Sequence, residues 1–384
     1  MGRTNRHGNE TQGPVIVVCP TPRGGHIEHA FDLAVAGFRK SGSRSILITR
    51  RGAREYLPRQ ASDFVDIREV LPALPKKRGR ASSAWYFVNL VREHFVILRA
   101  VHATRPTALF VEEPRYPCPA VLVVGTEARL VLVLHNVVEH DGLRRSNRIV
   151  DWIRLQSIQK FPTVLVHGAS QQQLLRKNLG RQSAWSDLPI DSYAEWLWES
   201  EAASGTRIRS ADPAFVCLGE IRANKGIEVA IGAARRTGLP LSIRGRGVDA
   251  DYLAALRGSA EGSAAVTISE EFLSPLDFSR EIEEALAVVI PYSTFDAQSG
   301  PLAKAMARNK RILSSRLPAL VDQAKGYEHI SFFAVGDEAA LAKLMQGVAQ
   351  DGAANARLSR GGQDPAGLDQ DPWDATIEAA LADV

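Results

Sequence analysis

The sequence is poor in cysteine and has no long apolar run, and both shortages narrow the kinds of protein it can encode. Its three cysteines, Cys19, Cys118 and Cys217, form no Cys-x-x-Cys pair. Cys19 and Cys217 stand inside apolar runs, which favours small core residues over metal ligands or nucleophiles. No apolar stretch approaches the ~18 residues of a membrane-spanning helix. Residues 1–13 are polar and lack the apolar segment of a secretory signal, so we expect a disordered N-terminus and a cytoplasmic protein.

The excess of positive charge is also small. Lysine and arginine total 47 against 43 acidic residues, which gives a formal net charge of +4. This balance suits an anionic ligand or an anionic membrane surface, but it lacks the concentrated basic character of a nucleic-acid binder. No cluster of His, Cys, Asp and Glu has metal-ligand spacing, so we expect neither a metal nor a cofactor.

The chain has 384 residues, more than one hydrophobic core usually serves, and this length predicts two domains. Short apolar runs alternate with helical patterns, which predicts α/β domains with doubly wound parallel sheets. The predicted strands are 15–19, 45–49, 109–111, 130–134, 164–166, 214–218, 241–244, 265–268, 287–291, 311–314 and 331–334. Helices are predicted at 26–40, 82–104, 146–160 and 169–179, between the later strands, and at 372–381.

A break in the alternation of predicted strands and helices indicates the domain boundary. The segment 181–211 is polar, Ser-rich and interrupted by a proline, and it carries isolated aromatic residues. We interpret 14–190 as an N-terminal domain, 191–212 as the linker and 213–365 as a C-terminal domain. Residues 352–371 are predicted to form a loop, and 366–384 a C-terminal helix that crosses back to the first domain. Two such domains are expected to face each other across a cleft, with ligands at the carboxyl ends of the strands.

One candidate phosphate site follows the strand that ends at Pro291. There Ser299-Gly300-Pro301 begins a helix, and serine is a strong N-cap while proline is favoured in a first turn. Gly300 leaves room for a ligand, and the free N–H groups of a helix start attract anions. The same pattern is compatible with an ordinary capped helix.

A second candidate site is the segment Gly219-Glu220-Ile221-Arg222-Ala223-Asn224-Lys225-Gly226, which also joins a strand to a helix. Arg222 and Lys225 lie just beyond the carboxyl end of the strand, where a diphosphate would bind. Arginine can grip phosphate oxygens with two hydrogen bonds, and lysine acts as a point charge. A solvated basic loop is the alternative.

Together these segments resemble the donor-binding half of GT-B glycosyltransferases, particularly family 4 and related group 1 enzymes, which carry a GxIRxxKG element and a PY-x(n)-SG element. Pro22-Arg23-Gly24-Gly25 resembles their acceptor-side loop. The stretch from His135 to Asp141 resembles their HNVxxHE element, and His167-Gly168-Ala169-Ser170 lies where they have VHS. The matching elements span residues 15–316 in the same order. The resemblance implies two Rossmann-like domains and a nucleotide-diphosphate-sugar donor of UDP or GDP type.

Three positions depart from that family pattern. Many members carry two glutamates eight positions apart around the second element, where this chain has Asp296 and Lys304. An aspartate can still hold a sugar hydroxyl, but a lysine ammonium only donates and cannot accept from a ribose. Many members also have arginine where this chain has Glu220. These departures leave retaining or inverting stereochemistry open.

The resemblance, together with positions just after predicted strands and beside loops, gives further candidate site residues. Candidate catalytic groups are His135, His140, Asp141 and Asp296, since histidine titrates near neutral pH and suits acid–base work. The donor-phosphate residues are Arg222, Lys225, Gly226, Gln298, Ser299 and Gly300. The nucleotide-base region is Gly245, Gly247 and Glu270, and the acceptor-side loop is Gly24, Gly25 and His26. The Gly-x-Gly turn is equally compatible with a plain tight turn, and His167 with a satisfied residue at the edge of the core.

The sequence gives less information about the acceptor than about the donor. A saccharide, a lipid-linked acceptor or a small molecule would fit a GT-B enzyme. The basic run from Lys76 to Arg80 precedes an aromatic helix start at Trp85, a pattern that suits peripheral contact with an anionic membrane. A solvated loop before a core helix is the alternative. A non-catalytic nucleotide-sugar binder or partner subunit, or another GT-B enzyme such as an epimerase, are the alternatives to a sugar transferase.

Overall fold

The computed structural model describes residues 13–72, 80–116, 127–137, 148–189, 192–202, 213–351 and 373–382. Within them the chain divides into two compact units. The first comprises residues up to Leu134, Arg145–Leu165 and Trp373–Val384, and the second comprises His135–Arg144 and Val166–Pro372. The predicted N-terminal segment 1–13, apart from its last residue, and the predicted loop 352–371 lie outside the described residues.

The first sheet has seven strands in the order β3-β2-β1-β4-β5-β6-β7, and the pairings among β1 to β5 are parallel. The strands are β1 Val15–Cys19, β2 Ser45–Arg50, β3 Val65–Leu71, β4 Ala108–Val111, β5 Arg129–Leu134, β6 Thr163–His167 and β7 Ala184–Ser186. The helices over the same stretch of chain are α1 Gly25–Ser41, α2 Ala61–Phe64, α3 Arg80–Thr104, α4 Arg148–Lys160 and α5 Ala169–Leu179.

The second sheet has six parallel strands in the order β10-β9-β8-β11-β12-β13. They are β8 Phe215–Leu218, β9 Leu241–Gly245, β10 Val266–Glu270, β11 Ala287–Ile290, β12 Ile312–Ser315 and β13 Ile330–Phe333. The remaining helices are α6 Tyr193–Ala202, α7 Ile227–Thr237, α8 Ala250–Ala260, α9 Pro275–Glu284, α10 Gly300–Ala307, α11 Pro318–Gln323, α12 Glu338–Gln350 and α13 Asp374–Leu381.

Both faces of the second sheet are covered, as the continuous apolar runs require. Successive residues of β8 point to opposite sides: Cys217 packs into one hydrophobic cluster and Val216 into the other. The predicted α/β class with two doubly wound parallel sheets is therefore confirmed. No helix among the described residues is both long and apolar enough to cross a bilayer.

Besides the one-turn helix α2, three elements escaped the sequence analysis. Strand β3 alternates buried and half-buried residues at the edge of its sheet, so it lacks the apolar run of the central strands. Strand β7 is only three residues long. Helix α6 falls in the segment interpreted as the interdomain connection, and its acidic residues are used in ion pairs that a local pattern does not show.

Candidate functional site

The two predicted phosphate segments meet at the centre of the second sheet. Strand order runs outward in opposite directions from β8 and β11, which makes the gap between these neighbours the topological switch point. One predicted segment follows β8 and the other follows β11. The N–H of Ser293 donates to the carbonyl of Asn224 at 3.0 Å, and the Asn224 side chain donates to the carbonyl of Thr294 at 3.3 Å. The structure thus joins the two segments where open α/β sheets bind ligands.

Gly226 explains how the loops approach so closely. Its φ is +56°, a left-handed conformation that favours glycine, and it precedes α7. A Cβ built on Gly226 would lie 2.2 Å from the carbonyl oxygen of Pro291. Both the backbone angle and the contact with Pro291 therefore require glycine.

Lys225 is held in an aromatic setting between these loops. Its side chain is 9% exposed, and its Nζ lies 3.6 Å from the ring centroid of Tyr292 and 4.8 Å from that of Phe295. Burial, and then the neighbouring charge of Arg222, hold the pKa of Lys225 well below its usual range, against the opposing effect of Glu220. Among the described residues no carboxylate forms a salt bridge with it. The Lys225 ammonium is thus held by ring faces rather than by a counter-charge.

Arg222 presents unused hydrogen-bond donors beside Lys225. Its Nε is buried and has no hydrogen-bond partner within the described chain. Its terminal nitrogen lies 3.7 Å from Glu220, a long contact for an ion pair, and Glu220 is shared with Arg246 at 3.3 Å. Two cations with spare donor capacity at a switch point form an arrangement that an anion such as a diphosphate would complete.

A small pocket lies beneath this loop pair. It is lined by Cys217, Leu218, Gly219, Glu220, Ile221, Lys225, Ile227, Val289, Pro291 and Tyr292. Burial raises the pKa of Cys217 to about 12, so this thiol stays protonated at neutral pH. The cysteine is therefore a packing residue, as its apolar strand indicated.

At the start of α10, backbone groups that the sequence pattern left available to a ligand are already hydrogen-bonded within the protein. Ser299 Oγ accepts from the N–H of Leu302 at 3.4 Å, so the predicted N-cap is present. However, the Ser299 N–H donates to Gln323 at 2.7 Å, and the Gln323 side chain donates back to the Ser299 carbonyl at 3.0 Å. Pro301 has no N–H. In the described part of this turn, Gly300 alone keeps an amide without a partner, and a Cβ on it would meet nothing within 4 Å.

The glycines of the predicted base region have a packing role. A Cβ on Gly245 would lie 1.6 Å from the carbonyl oxygen of Gly219, and Gly247 forms a parallel bridge with Ile221. The Gly-x-Gly turn therefore lets the loop after β9 lie against the loop after β8. Glu270 lies at the carboxyl end of β10, next to Gly247, and is 3.4 Å from Arg257. The glycines are explained by this contact whether or not a base binds there.

Lys304 makes an ion pair that the sequence did not reveal. It contacts Glu195 of α6, and Nη1 of Arg308 lies 2.8 Å from the other oxygen of the same carboxylate. Burial by itself would raise the pKa of Glu195, but Lys304 and Arg308 outweigh it and lower the value to about 2. Arg308 also donates to Ser279 at 2.6 Å. Lys304 therefore belongs to a buried charge cluster that joins α6 to α10.

Other predicted residues are placed as follows. Asp296 is exposed and Gln298 half-buried in the loop before α10. His135 is half-buried directly after β5, and its ring centroid lies 6.2 Å from that of His167. His140 and Asp141 lie outside the described residues.

In the first unit, Gly24 is the N-cap of α1 with φ +72°, Gly25 is exposed and His26 is half-buried. The switch point of this sheet lies between β1 and β4. Polar groups there are already paired: His29 Nδ1 lies 2.8 Å from Glu112, and Thr21 donates to Glu113. The sequence analysis missed these carboxylates, although both directly follow the predicted strand 109–111.

A buried charge group supports that end of the first sheet. Arg50 lies 2.7 Å from Glu93, and the Tyr116 hydroxyl donates to the same carboxylate. Arg115 lies 3.8 Å from Glu93 and 5.4 Å from the ring centroid of Tyr86, and its buried Nε has no hydrogen-bond partner within the described chain. Arg115 therefore retains donor capacity at the switch point of the first unit.

Comparison with known proteins places the fold. No protein-family model and no curated protein matches the chain. Among solved structures, Anabaena HepE in complex with UDP-glucose matches with a TM-score of 0.64 at 11% identity, over 96% of this chain and 98% of that one. Sucrose-phosphate synthase from Thermosynechococcus elongatus matches at 0.66 and 13%, over 96% and 94%. The catalytic domain of starch synthase IV from Arabidopsis thaliana, bound to ADP and acarbose, matches at 0.65 and 12%, over 96% and 99%.

These identities are low and the coverage of both chains is nearly complete, so the similarity concerns the fold. Two parallel-sheet α/β units, each with its switch point at the centre of the sheet, are the architecture of GT-B proteins. The chain has the GT-B fold.

Proposed function

We propose that this protein is a metal-independent glycosyltransferase that moves a sugar from a nucleotide-diphosphate donor, of UDP or GDP type, to an acceptor hydroxyl. The observation that carries the proposal is the pair of cations at the second switch point. Arg222 has a buried nitrogen without a partner, and Lys225 has no carboxylate counter-charge among the described residues. Solved structures of this fold with UDP-glucose or ADP support a nucleotide ligand.

In such a reaction the bond between the sugar and the diphosphate breaks, and negative charge grows on the leaving phosphate. Fixed cations and a helix N-terminus stabilise that charge without a metal. Arg222 and Lys225 would contribute most, at about 1.5–3 kcal/mol for each charged hydrogen bond. Because the amide of Ser299 is engaged with Gln323, the helix start would contribute mainly through the Gly300 N–H.

The acceptor hydroxyl needs a base if the reaction inverts the anomeric carbon, and mainly positioning if it retains it. His135, His140, Asp141 and Asp296 remain the proposed groups for these tasks. The acceptor, a saccharide, a lipid-linked sugar or a small molecule, would use the first unit, where Arg115 has spare donors and Glu113 is half-buried.

A non-catalytic nucleotide-sugar binder is the second candidate, and Lys304 favours it. The resemblance expects a carboxylate at this position to hold the ribose, but Lys304 cannot accept a hydrogen bond and is paired with Glu195. The donor would then have to be held by the diphosphate and base contacts alone.

Two measurements test these alternatives in order. The first is thermal unfolding of the protein with UDP, GDP, ADP, TDP or CDP, with each nucleoside monophosphate as a control for the second phosphate. A ligand at a hundredfold excess over its dissociation constant stabilises the fold by about 2.7 kcal/mol, which shifts the midpoint by a few degrees. No shift with any diphosphate would refute the donor site.

The second measurement is nucleotide release from the matching sugar donor in the presence of a panel of saccharide and lipid acceptors. Release that depends on an acceptor supports the transferase. Tight diphosphate binding without release from any donor would favour the non-catalytic binder.

A further inference from the structure

Helix α3 presents an apolar face to solvent. Trp85, Val88, Val91 and Phe95 are 55%, 50%, 54% and 68% exposed. With 3.6 residues per turn they lie on one side of the helix, within an arc of about 120°. We call this arc the outer face of α3. An exposed apolar face of this kind usually marks an interaction site.

The outer face is not the side of α3 that forms the core of the first unit. The opposite side of the same helix packs there. Leu90, Ile97 and Val101 are buried in the first unit. Helix α3 is therefore apolar on both sides, with one side covered by its own unit and the other open.

The charges on the outer face have a single sign. Arg92 and Arg99 are exposed on the same arc, as is His102. The only acidic residue in α3 is Glu93, which is buried and lies 2.7 Å from Arg50. Aromatic and aliphatic groups thus alternate with cations, with no carboxylate to repel an anionic partner.

Helix α4, in the same unit, has an exposed side of the same composition. Trp152 and Ile149 are largely exposed there, and Arg148 and Lys160 lie on the same side. Asp151, the only acidic residue of α4, lies off this side of the helix.

We infer that the outer face of α3, together with the exposed side of α4, binds an anionic lipid membrane surface. Tryptophan and phenylalanine partition into the interfacial region, and arginine and lysine pair with acidic headgroups. This inference does not depend on the proposed transferase activity.

The test is co-sedimentation of the full chain with phosphatidylcholine vesicles, with and without phosphatidylglycerol. Binding is expected only with the anionic lipid, and it should fall as salt is raised because the cations are screened. Absence of binding to anionic vesicles at low salt would overturn the inference, while nucleotide binding measured in the same preparation would be unaffected.

Paired variants locate the surface. Replacing Arg92 and Arg99 by glutamine should lower the partition coefficient about fivefold for each cation removed. Trp85→Ser with Phe95→Ser should abolish the residual binding in high salt. The matched controls in the second unit are Arg235→Gln and Phe272→Ser, which remove an exposed cation and an exposed aromatic and should leave binding unchanged.

The unfolding midpoint of each variant shows whether it remains folded. The inference would be overturned if the variants of the outer face sediment with anionic vesicles to the same extent as the unaltered chain. A concentration-dependent dimer that these variants disperse would also overturn it, because the outer face would then be an interface between copies of this chain.

Discussion

The Nζ of Lys225 lies 3.6 Å from the ring centroid of Tyr292, and that ring is fixed at both ends. The Tyr292 hydroxyl contacts Ser299 Oγ at 3.2 Å, and its carbonyl accepts from Ser315 Oγ at 2.7 Å. Burial raises the pKa of Tyr292 to about 12, so the ring stays neutral and its face attracts the ammonium. The lysine from one loop is therefore positioned by the strand end and helix cap of the other.

Replacing Lys225 with methionine should separate binding from stability. Loss of one charged hydrogen bond should weaken nucleotide-diphosphate affinity about 10- to 150-fold, measured by calorimetry. The unfolding midpoint of the free protein should stay the same or rise, because a buried cation without a counter-charge is removed.

Lys310→Met is the matched control for that variant. Lys310 is also buried, but its Nζ donates to the carbonyls of Glu283 and Ala285 at 3.0 and 2.7 Å. Its loss should lower the midpoint and leave nucleotide affinity unchanged. Equal affinities for the Lys225 variant and the unaltered chain would remove Lys225 from the site.

Nucleotide binding should weaken as pH rises toward the alkaline range. The free protein holds the pKa of Lys225 below its unfolded value of about 10.4, so the unfolded chain binds more protons between these two values. The stability of the free protein contributed by this group therefore rises with pH across that window. A bound diphosphate has the opposite effect on the pKa of Lys225, because its negative charge favours the protonated amine. Calorimetry in buffers of different ionisation enthalpy should show proton uptake on binding, and Lys225→Met should show none.

Gly226→Ala should disrupt the site through the backbone. The added Cβ meets the Pro291 carbonyl, and the residue is strained at φ +56°, so the fold should lose more than about 1 kcal/mol together with nucleotide binding. Gly258 in α8 is the control, because a Cβ there meets nothing within 4 Å. Gly258→Ala should be neutral or stabilising by up to about 1 kcal/mol in urea unfolding. Similar losses for both variants would contradict the assigned contact.

Glu195→Gln should destabilise the protein at neutral pH by about 3 kcal/mol, because it removes the charge that the half-buried Lys304 and the buried Arg308 share, while Arg308 keeps Glu199 and Glu283 as more distant partners. Glu199→Gln on the same helix is the control: Glu199 is partly exposed and 3.4 Å from Arg308, and should cost less than about 1 kcal/mol.

The acid dependence of stability gives a second test of Glu195. With a folded pKa of about 2 against an unfolded value of about 4.3, its contribution is complete above the unfolded value and is lost as pH falls toward 2. In the glutamine variant, residue 195 should no longer contribute to the decrease in the free energy of unfolding as pH falls. If this variant unfolds with acid as the unaltered chain does, the charge cluster does not stabilise the fold.

Much of the architecture was determined by the sequence alone. Runs such as Val15–Cys19 and Phe215–Leu218 are apolar without a break, because a parallel strand covered by helices has no polar face, and this pattern is local. The succession of strands along the sequence also placed Arg222 and Lys225 just after one strand and Ser299 after the loop that follows another, and parallel sheets collect ligand-binding loops at these ends.

Only the tertiary structure decided which groups meet across long stretches of chain. Glu195 and Lys304 are 109 positions apart, and no periodicity indicates that an acid in the segment interpreted as the linker pairs with a lysine on α10. The Ser299 amide looked available until Gln323 was brought beside it. Helix α3 is apolar on two sides, and its pattern does not indicate which one the core covers, because that depends on the neighbouring elements. Local patterns arise from the periodicity of the backbone, whereas contacts between distant residues are set by how the whole chain packs.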